Sequence, residues 1–323
     1  YCLGLIKEGF VLDLKFCLSF DVGGTFIKYA IIDSLGEIHL KDKVKTPGAP
    51  CKETIPNIMI EVFNSLKDKY QISCVGISTA GQVNVDKGVV EYAVDNLPEY
   101  SNTDFREKLG KTLNLPVFVD NDVNSAASGE MWIGNGKNLK NFLCVTLGTG
   151  VGGAIVINKE VYRGENFSGG EVGHFIIVPE GDKCNCGRKG CYERYASTSA
   201  LLRMYKEALI ENNLPCEENY EGEYIVDLYY KGDEIATKVY ERFLDYVAYG
   251  LANLSHILDP GIILVGGGIS AQGERFFNEV NKRFKKYAMT SHKENTVVKQ
   301  AGLTNDAGVI GAAFNAFKFL NVL

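Results

Sequence analysis

His174, Cys184, Cys186 and Cys191 gather one imidazole and three thiols within a short stretch of a 323-residue chain. That donor set completes a tetrahedral Zn²⁺ shell, and with no coordination position left open the ion would be structural, not a Lewis acid. Gly187 and Gly190 let the backbone fold tightly around it. The C-x-C start is narrower than usual zinc spacing. The plain alternative, thiols buried as small hydrophobes, suits a glycine-rich polar stretch poorly. Glu171 and Glu193 flank the cluster and can accept hydrogen bonds from several hydroxyls of a sugar. His174 can hold the metal through one ring nitrogen and a hydroxyl through the other.

Two further runs could bind anions. Asp21-Val-Gly23-Gly24-Thr25 and Gly148-Thr149-Gly150-Val-Gly152-Gly153 each join two β-type segments by a glycine-rich turn. Such turns present backbone N–H groups and a hydroxyl without side-chain bulk. Two of them suggest two lobes holding a polyphosphate, the layout of a nucleotide-dependent transferase. Asp21 can hold water on Mg²⁺ while Gly23, Gly24 and Thr25 approach the phosphates, or it can be an ordinary turn residue. Lys28 reaches either phosphate or solvent. The second run also spells the G-x-G-x-x-G of dinucleotide sites, with Glu171 suitably downstream. That fingerprint needs a helix after the glycines, and Ala154–Asn158 is β-type, so a hairpin tip with Thr149 as hydroxyl donor is expected instead.

A third cluster is Asp120-Asn121-Asp122-Val-Asn124, where a buried strand gives way to a helix. One carboxylate there can accept the proton of a hydroxyl attacking phosphorus. Helix capping would account for one of these residues, not for all of them.

The elements that must position these groups follow from apolar spacing. Residues 16–45 read as three strands, Cys74–Thr79 and Pro116–Asp120 as buried strands, and 53–69 and 122–133 as helices. Phe105 and Leu109 mark a short helix. A long helix is expected over about 233–258, then a strand Ile262–Val265 running into Gly266-Gly267-Gly268, and a last helix over 307–319 that packs back on the first lobe. Alternating strands and helices imply an α/β fold with a largely parallel sheet, ligands sitting at the strand C-terminal ends. The expected division is an N-terminal extension 1–15, a small lobe 16–135 joined by the C-terminal segment 307–323, and a large lobe 136–306 carrying the zinc-binding loop.

Composition bounds the partners. Hydrophobic residues make up 46% and charged ones 23%, which describes a folded soluble protein. A net charge of −6 leaves no basic stripe for nucleic acid, and Lys285 and Lys286 read as a solvated helix face. No apolar run approaches the roughly 18–20 residues needed to span a bilayer. Residues 1–15 lack the features of a signal peptide, and the scattered cysteines outside the cluster suit a reducing, cytoplasmic setting.

Taken together, Asp21-Val-Gly-Gly-Thr25-x-x-Lys28, Asn121-Asp122-x-Asn124, Leu147-Gly-Thr-Gly-x-Gly-Gly153, Glu171-x-Gly-His174 and Cys184-x-Cys186-Gly-x-x-Gly-Cys191-x-Glu193 resemble the ROK family of repressors and sugar kinases, within the actin-like ATPase superfamily. The resemblance runs from about Phe16 to the C-terminus. It implies two ribonuclease-H-like lobes with ATP and sugar in a central cleft, and a homodimer. By the same resemblance Asp122 is the catalytic base. Gly81, Asn96, Asn121, Glu171, His174 and Glu193 contact the sugar, alongside Asp122. Asp21, Gly23, Gly24, Thr25, Lys28, Gly148, Thr149, Gly150, Gly152 and Gly266–Gly268 serve the nucleotide. His174, Cys184, Cys186 and Cys191 hold zinc. DNA-binding members carry a helix-turn-helix before the first strand, and the fifteen residues preceding Phe16 are too few for one. The expectation is a MgATP-dependent kinase acting on O6 of glucose. N-acetylmannosamine, fructose and β-glucoside kinases remain open, as does a non-catalytic sugar sensor.

Overall fold

A computed structural model of the chain describes residues 6–7, 10–11, 14–93 and 96–323. Most of the expected extension 1–15 lies outside them; within it Ile6–Lys7 and Phe10–Val11 pair antiparallel. The chain forms two compact units. One comprises residues 1–138, 163–168 and 305–323, and the other 139–162 and 169–304.

The first unit is built on a five-stranded sheet ordered Val117–Asn121, Ile72–Thr79, Phe16–Val22, Phe26–Asp33, Ile38–Lys45. The first three strands run parallel, and the last two are antiparallel additions. Phe16–Val22 and Ile72–Thr79 are buried along almost their whole length, which explains their near-continuous apolar reading. Ile38–Lys45 alternates apolar residues with charges, and its lysines protect an open edge. Cys51–Leu66 covers one face, and Ile55, Met59 and Val62 are buried beneath it. This helix stops short of the expected residue 69, because Lys67, Asp68 and Lys69 are exposed and have no core to face. Ala307–Phe319 completes the unit against Asp122–Trp132. Backbone meets backbone there: a Cβ on Gly311 would lie 1.6 Å from the Ser125 carbonyl oxygen.

In the second unit the sheet order is Glu160–Tyr162, Val151–Ile157, Phe142–Leu147, Ile262–Gly266, Val297–Gln300. When the strands of each five-stranded sheet are numbered in chain order, both sheets read 3-2-1-4-5, with strand 2 antiparallel to strand 1 in each. The two glycine turns therefore occupy the same place, between strands 1 and 2. Glu234–Leu258 is the long helix; Asp233 caps it by accepting the Ala236 N–H at 2.7 Å, and Val239, Phe243, Val247 and Leu251 line its buried face. Lys285 and Lys286 are exposed in the last turn of Glu274–Tyr287. Among the described residues, no helix is long and apolar enough to cross a membrane.

Candidate active site

In the first unit the strand Val117–Asn121 hands over to the helix Asp122–Trp132 within one residue. Asn121 makes the handover. Its Oδ1 accepts the N–H groups of Val123 at 2.9 Å and Asn124 at 3.2 Å, a helix N-cap, while its Nδ2 donates to the Gly81 carbonyl at 3.1 Å. Asp122 thus opens the helix, half-buried, with Oδ1 2.9 Å from the Val123 nitrogen. Withdrawal from water raises its carboxyl, the neighbouring Asp21 charge raises it further, and the value reaches about 6 although the Val123 N–H pulls the other way.

Asp21 lies at the end of Phe16–Val22. It accepts a hydrogen bond from Ser78 Oγ at 2.8 Å and an ion pair from Lys28 Nζ at 3.4 Å. Lys28 points neither freely to solvent nor away from the site; it also donates to the Asn305 carbonyl at 3.2 Å. Next comes the turn Gly23–Thr25, braced by Thr46 Oγ1 donating to the Gly23 carbonyl at 2.6 Å, with Gly24 and Thr25 exposed. Asn96 lies against this turn, its Cβ only 3.1 Å from where a Gly24 Cβ would be. One unit thus gathers Asp21, Gly23–Thr25, Lys28, Gly81, Asn96, Asn121 and Asp122.

The second unit gathers the remaining candidates. Gly148–Gly150 is a hairpin tip between Phe142–Leu147 and Val151–Ile157, so the G-x-G-x-x-G run has a strand, not a helix, after its glycines. The Thr198 N–H donates to the Gly148 carbonyl at 2.8 Å and ties the tip to the helix Thr198–Glu211. Gly267 has φ +89° and a Cβ position 2.3 Å from the Leu147 carbonyl oxygen, so only glycine lets Gly266–Gly268 settle beside the tip. Glu193 presses on Gly150, where a Cβ would stand 2.6 Å from Oε2. Residues 170–173 lie on Val151–Ile157, with a Gly173 Cβ position 2.1 Å from the Val151 carbonyl oxygen. Glu171, at the head of Val172–His174, is exposed.

His174, Cys184, Cys186 and Cys191 bring their donor atoms within 4.8 Å of one another. Cys186 Sγ and Cys191 Sγ are 3.5 Å apart, and Cys184 Sγ is 3.7 Å from His174 Nδ1. A tetrahedral zinc–thiolate shell places its sulfurs about 3.8 Å apart, so these residues fit the ion. Nδ1 faces the thiols, which leaves Nε2 of His174 for another partner. The Cys184 thiol also donates to Glu193 Oε1 at 3.0 Å, joining the thiol cluster to a carboxylate that touches the glycine turn.

Sequence reasoning missed Arg163. Its Nε and one terminal nitrogen reach Asp120 Oδ2 at 3.1 and 2.5 Å. A single arginine in a polar loop carries no local signal of such a partner.

Comparison with known proteins gives a consistent picture. A family model described as the ROK family matches residues 17–318. A glucokinase of Streptomyces coelicolor is 34% identical over 304 residues, covering 91% of this chain and 95% of that protein. A beta-glucoside kinase of Listeria monocytogenes is 30% identical over 299 residues, covering 92% and 96%. Among solved structures, a ROK family glucokinase from Streptomyces griseus in complex with glucose and AMPPNP superposes with a TM-score of 0.79 at 31% identity, covering 92% of this chain and 98% of that one.

Proposed function

The chain belongs to the ROK family, and from that premise we propose that it is an ATP-dependent hexose kinase, transferring the γ-phosphoryl group to O6 of glucose or a close relative. The observation that carries this reading is Asp122, a half-buried carboxylate at a strand-to-helix handover with its pKa lifted to about 6. Such a group is ionised at neutral pH yet basic enough to take a proton from an attacking hydroxyl. The turns at Gly23–Thr25 and Gly148–Gly152, with Gly266–Gly268, bind the nucleotide through backbone N–H groups, and Lys28 meets it through its ammonium. Bound through its waters to Asp21, Mg²⁺ would neutralise charge on the phosphates.

Gly81, Asn96, Asn121, Glu171, His174 and Glu193 orient the sugar so that its hydroxyl lies in line. Structural zinc at His174, Cys184, Cys186 and Cys191 orders the loop that presents Glu193. The same reading carries a homodimer working in the cytoplasm. The test is ADP release across glucose, N-acetylmannosamine, fructose and a β-glucoside, with Asp122→Asn alongside. Turnover highest on glucose supports the proposal; preference for another sugar reassigns the substrate. Sugar binding without turnover on any of them would replace the kinase with a sensor.

A further inference from the structure

Asp120 is 1% exposed, one residue before the handover, and both of its carboxylate oxygens are hydrogen-bonded. Oδ1 accepts the Asn121 N–H at 2.9 Å and Asn124 Nδ2 at 3.4 Å. Oδ2 accepts Arg163 Nε and a second guanidinium nitrogen, together with Asn315 Nδ2 at 3.3 Å. A carboxylate this deep is tolerable only when paired and hydrogen-bonded. Three residues beyond Arg163, the Asn166 carbonyl accepts Gln82 Nε2 at 2.6 Å, and Gln82 follows Gly81, whose own carbonyl is held by Asn121. The contacts close a ring: Arg163 to Asp120, along the backbone to Asn121, across to Gly81, on to Gln82, across to Asn166 and back along the chain to Arg163. Residues 163–168 belong to the first unit although residues 139–162 and 169–304 on either side form the second. Their contacts here give a reason for that placement.

We propose that residues 163–168 act as a strap fixing the strand-to-helix handover, with Arg163 a positioning residue that acts on Asp122 through Asp120 and Asn121. The strap touches neither the glycine turn Gly23–Thr25 nor Asp21 in any contact described above. Its effect therefore falls on Asn121 and Gly81 and on where the Asp122 carboxylate stands. The kinetic consequence rests on the proposed phosphoryl transfer; the structural consequence does not.

Two substitutions cut the ring at different places. Arg163→Lys keeps the buried charge and loses the fork, which a lysine cannot reproduce. Gln82→Ala opens the far side and touches no charge. Amide hydrogen exchange on the full chain is followed over residues 120–124, with Phe142–Leu147 in the other unit as internal control. Both variants are expected to speed exchange at 120–124 about tenfold while the control segment is unchanged. In the phosphorylation assay, kcat is expected to fall about tenfold in both and the KM for sugar to rise severalfold, since Gly81 and Asn121 belong to the ring, with the KM for ATP within twofold of wild type. Unchanged exchange at 120–124 in both variants overturns the strap. Losses in kcat and rises in both KM values that merely track a lowered Tm overturn the positioning role. Should Arg163→Lys fail to fold, Gln82→Ala decides alone. Should the wild-type chain transfer no phosphoryl group, only the kinase reading fails, and the exchange result still decides the strap.

Discussion

Asp122 keeps its proton up to about pH 6 because it is withdrawn from water and because Asp21 bears a like charge near it. If Asp122 is the base, kcat/KM should fall about tenfold for each unit below pH 6 and level off above it. Asp21→Asn, which removes the like charge, should move this acidic limb to lower pH even where it depresses the maximum rate. A pH–rate profile of both proteins checks the direction.

The same shift has a stability consequence of fixed sign. A folded-state pKa above the unfolded carboxyl value stabilises the fold at low pH, and that contribution is lost as pH rises through about 6. At pH 8 the ionised Asp122 is therefore a burden on folding. Asp122→Asn should be more stable than wild type by about 1–2 kcal/mol at pH 8, the incompletely buried site giving less than the full shift implies, and the gap should close near pH 4. Its turnover should fall by about 10²–10⁴ with sugar affinity little changed. Denaturant titrations at the two pH values, beside calorimetric sugar binding, measure both halves.

Removing the metal should act on the sugar before the nucleotide. Cys186→Ser takes one donor from the four, and elemental analysis should show bound zinc fall from about one per chain to well below that. The Glu193 carboxylate stands beside the cluster, 3.0 Å from Cys184 Sγ, and the zinc-held loop fixes its place, so sugar affinity should weaken about 10–100-fold. Binding of a non-hydrolysable ATP analogue, measured in parallel, should change less.

Gly308→Ala is a steric probe of Asp21, the carboxylate proposed to hold Mg²⁺ through its waters. The added Cβ would stand 2.6 Å from Asp21 Cγ, so the carboxylate must swing away from Ser78. Alanine is otherwise favoured over glycine in a helix by about 1 kcal/mol, which argues against any general loss of stability. The expected result is a KM for MgATP raised about tenfold, sugar affinity unchanged and a Tm within a few degrees. A sugar effect of equal size would point away from a nucleotide role for Asp21.

Chemistry-bearing residue types were the easiest to read from the chain. With 9 cysteines and 4 histidines in the whole sequence, three thiols close to one imidazole stand out. Turn glycines between β-type segments were equally visible, because few other residues tolerate that backbone. Long apolar patterns located Glu234–Leu258 and Ala307–Phe319 closely. Short elements were hidden. Gln82–Asn84, Val89–Tyr92 and Thr103–Asp104 form a sheet whose strands of two to four residues are too brief for an alternating pattern to emerge. Thr198–Glu211 and Gly222–Tyr230 were not marked either, their apolar faces being mixed with tyrosines and charges. Lys28 and Arg163 show the other limit: a long cation's partner is chosen by the tertiary fold, and neighbours in sequence do not reveal it.

The helix that seals the first unit, Ala307–Phe319, comes after the whole of the second unit in the chain. During translation the segment up to residue 138 must therefore wait, with the groove beside Asp122–Trp132 uncovered, while the ribosome makes every intervening residue. The second unit lacks no later piece and can fold as it emerges. Until Ala307–Phe319 arrives, the surface of Asp122–Trp132 that it covers has no partner, and the nascent first unit is most open to misassembly over that interval.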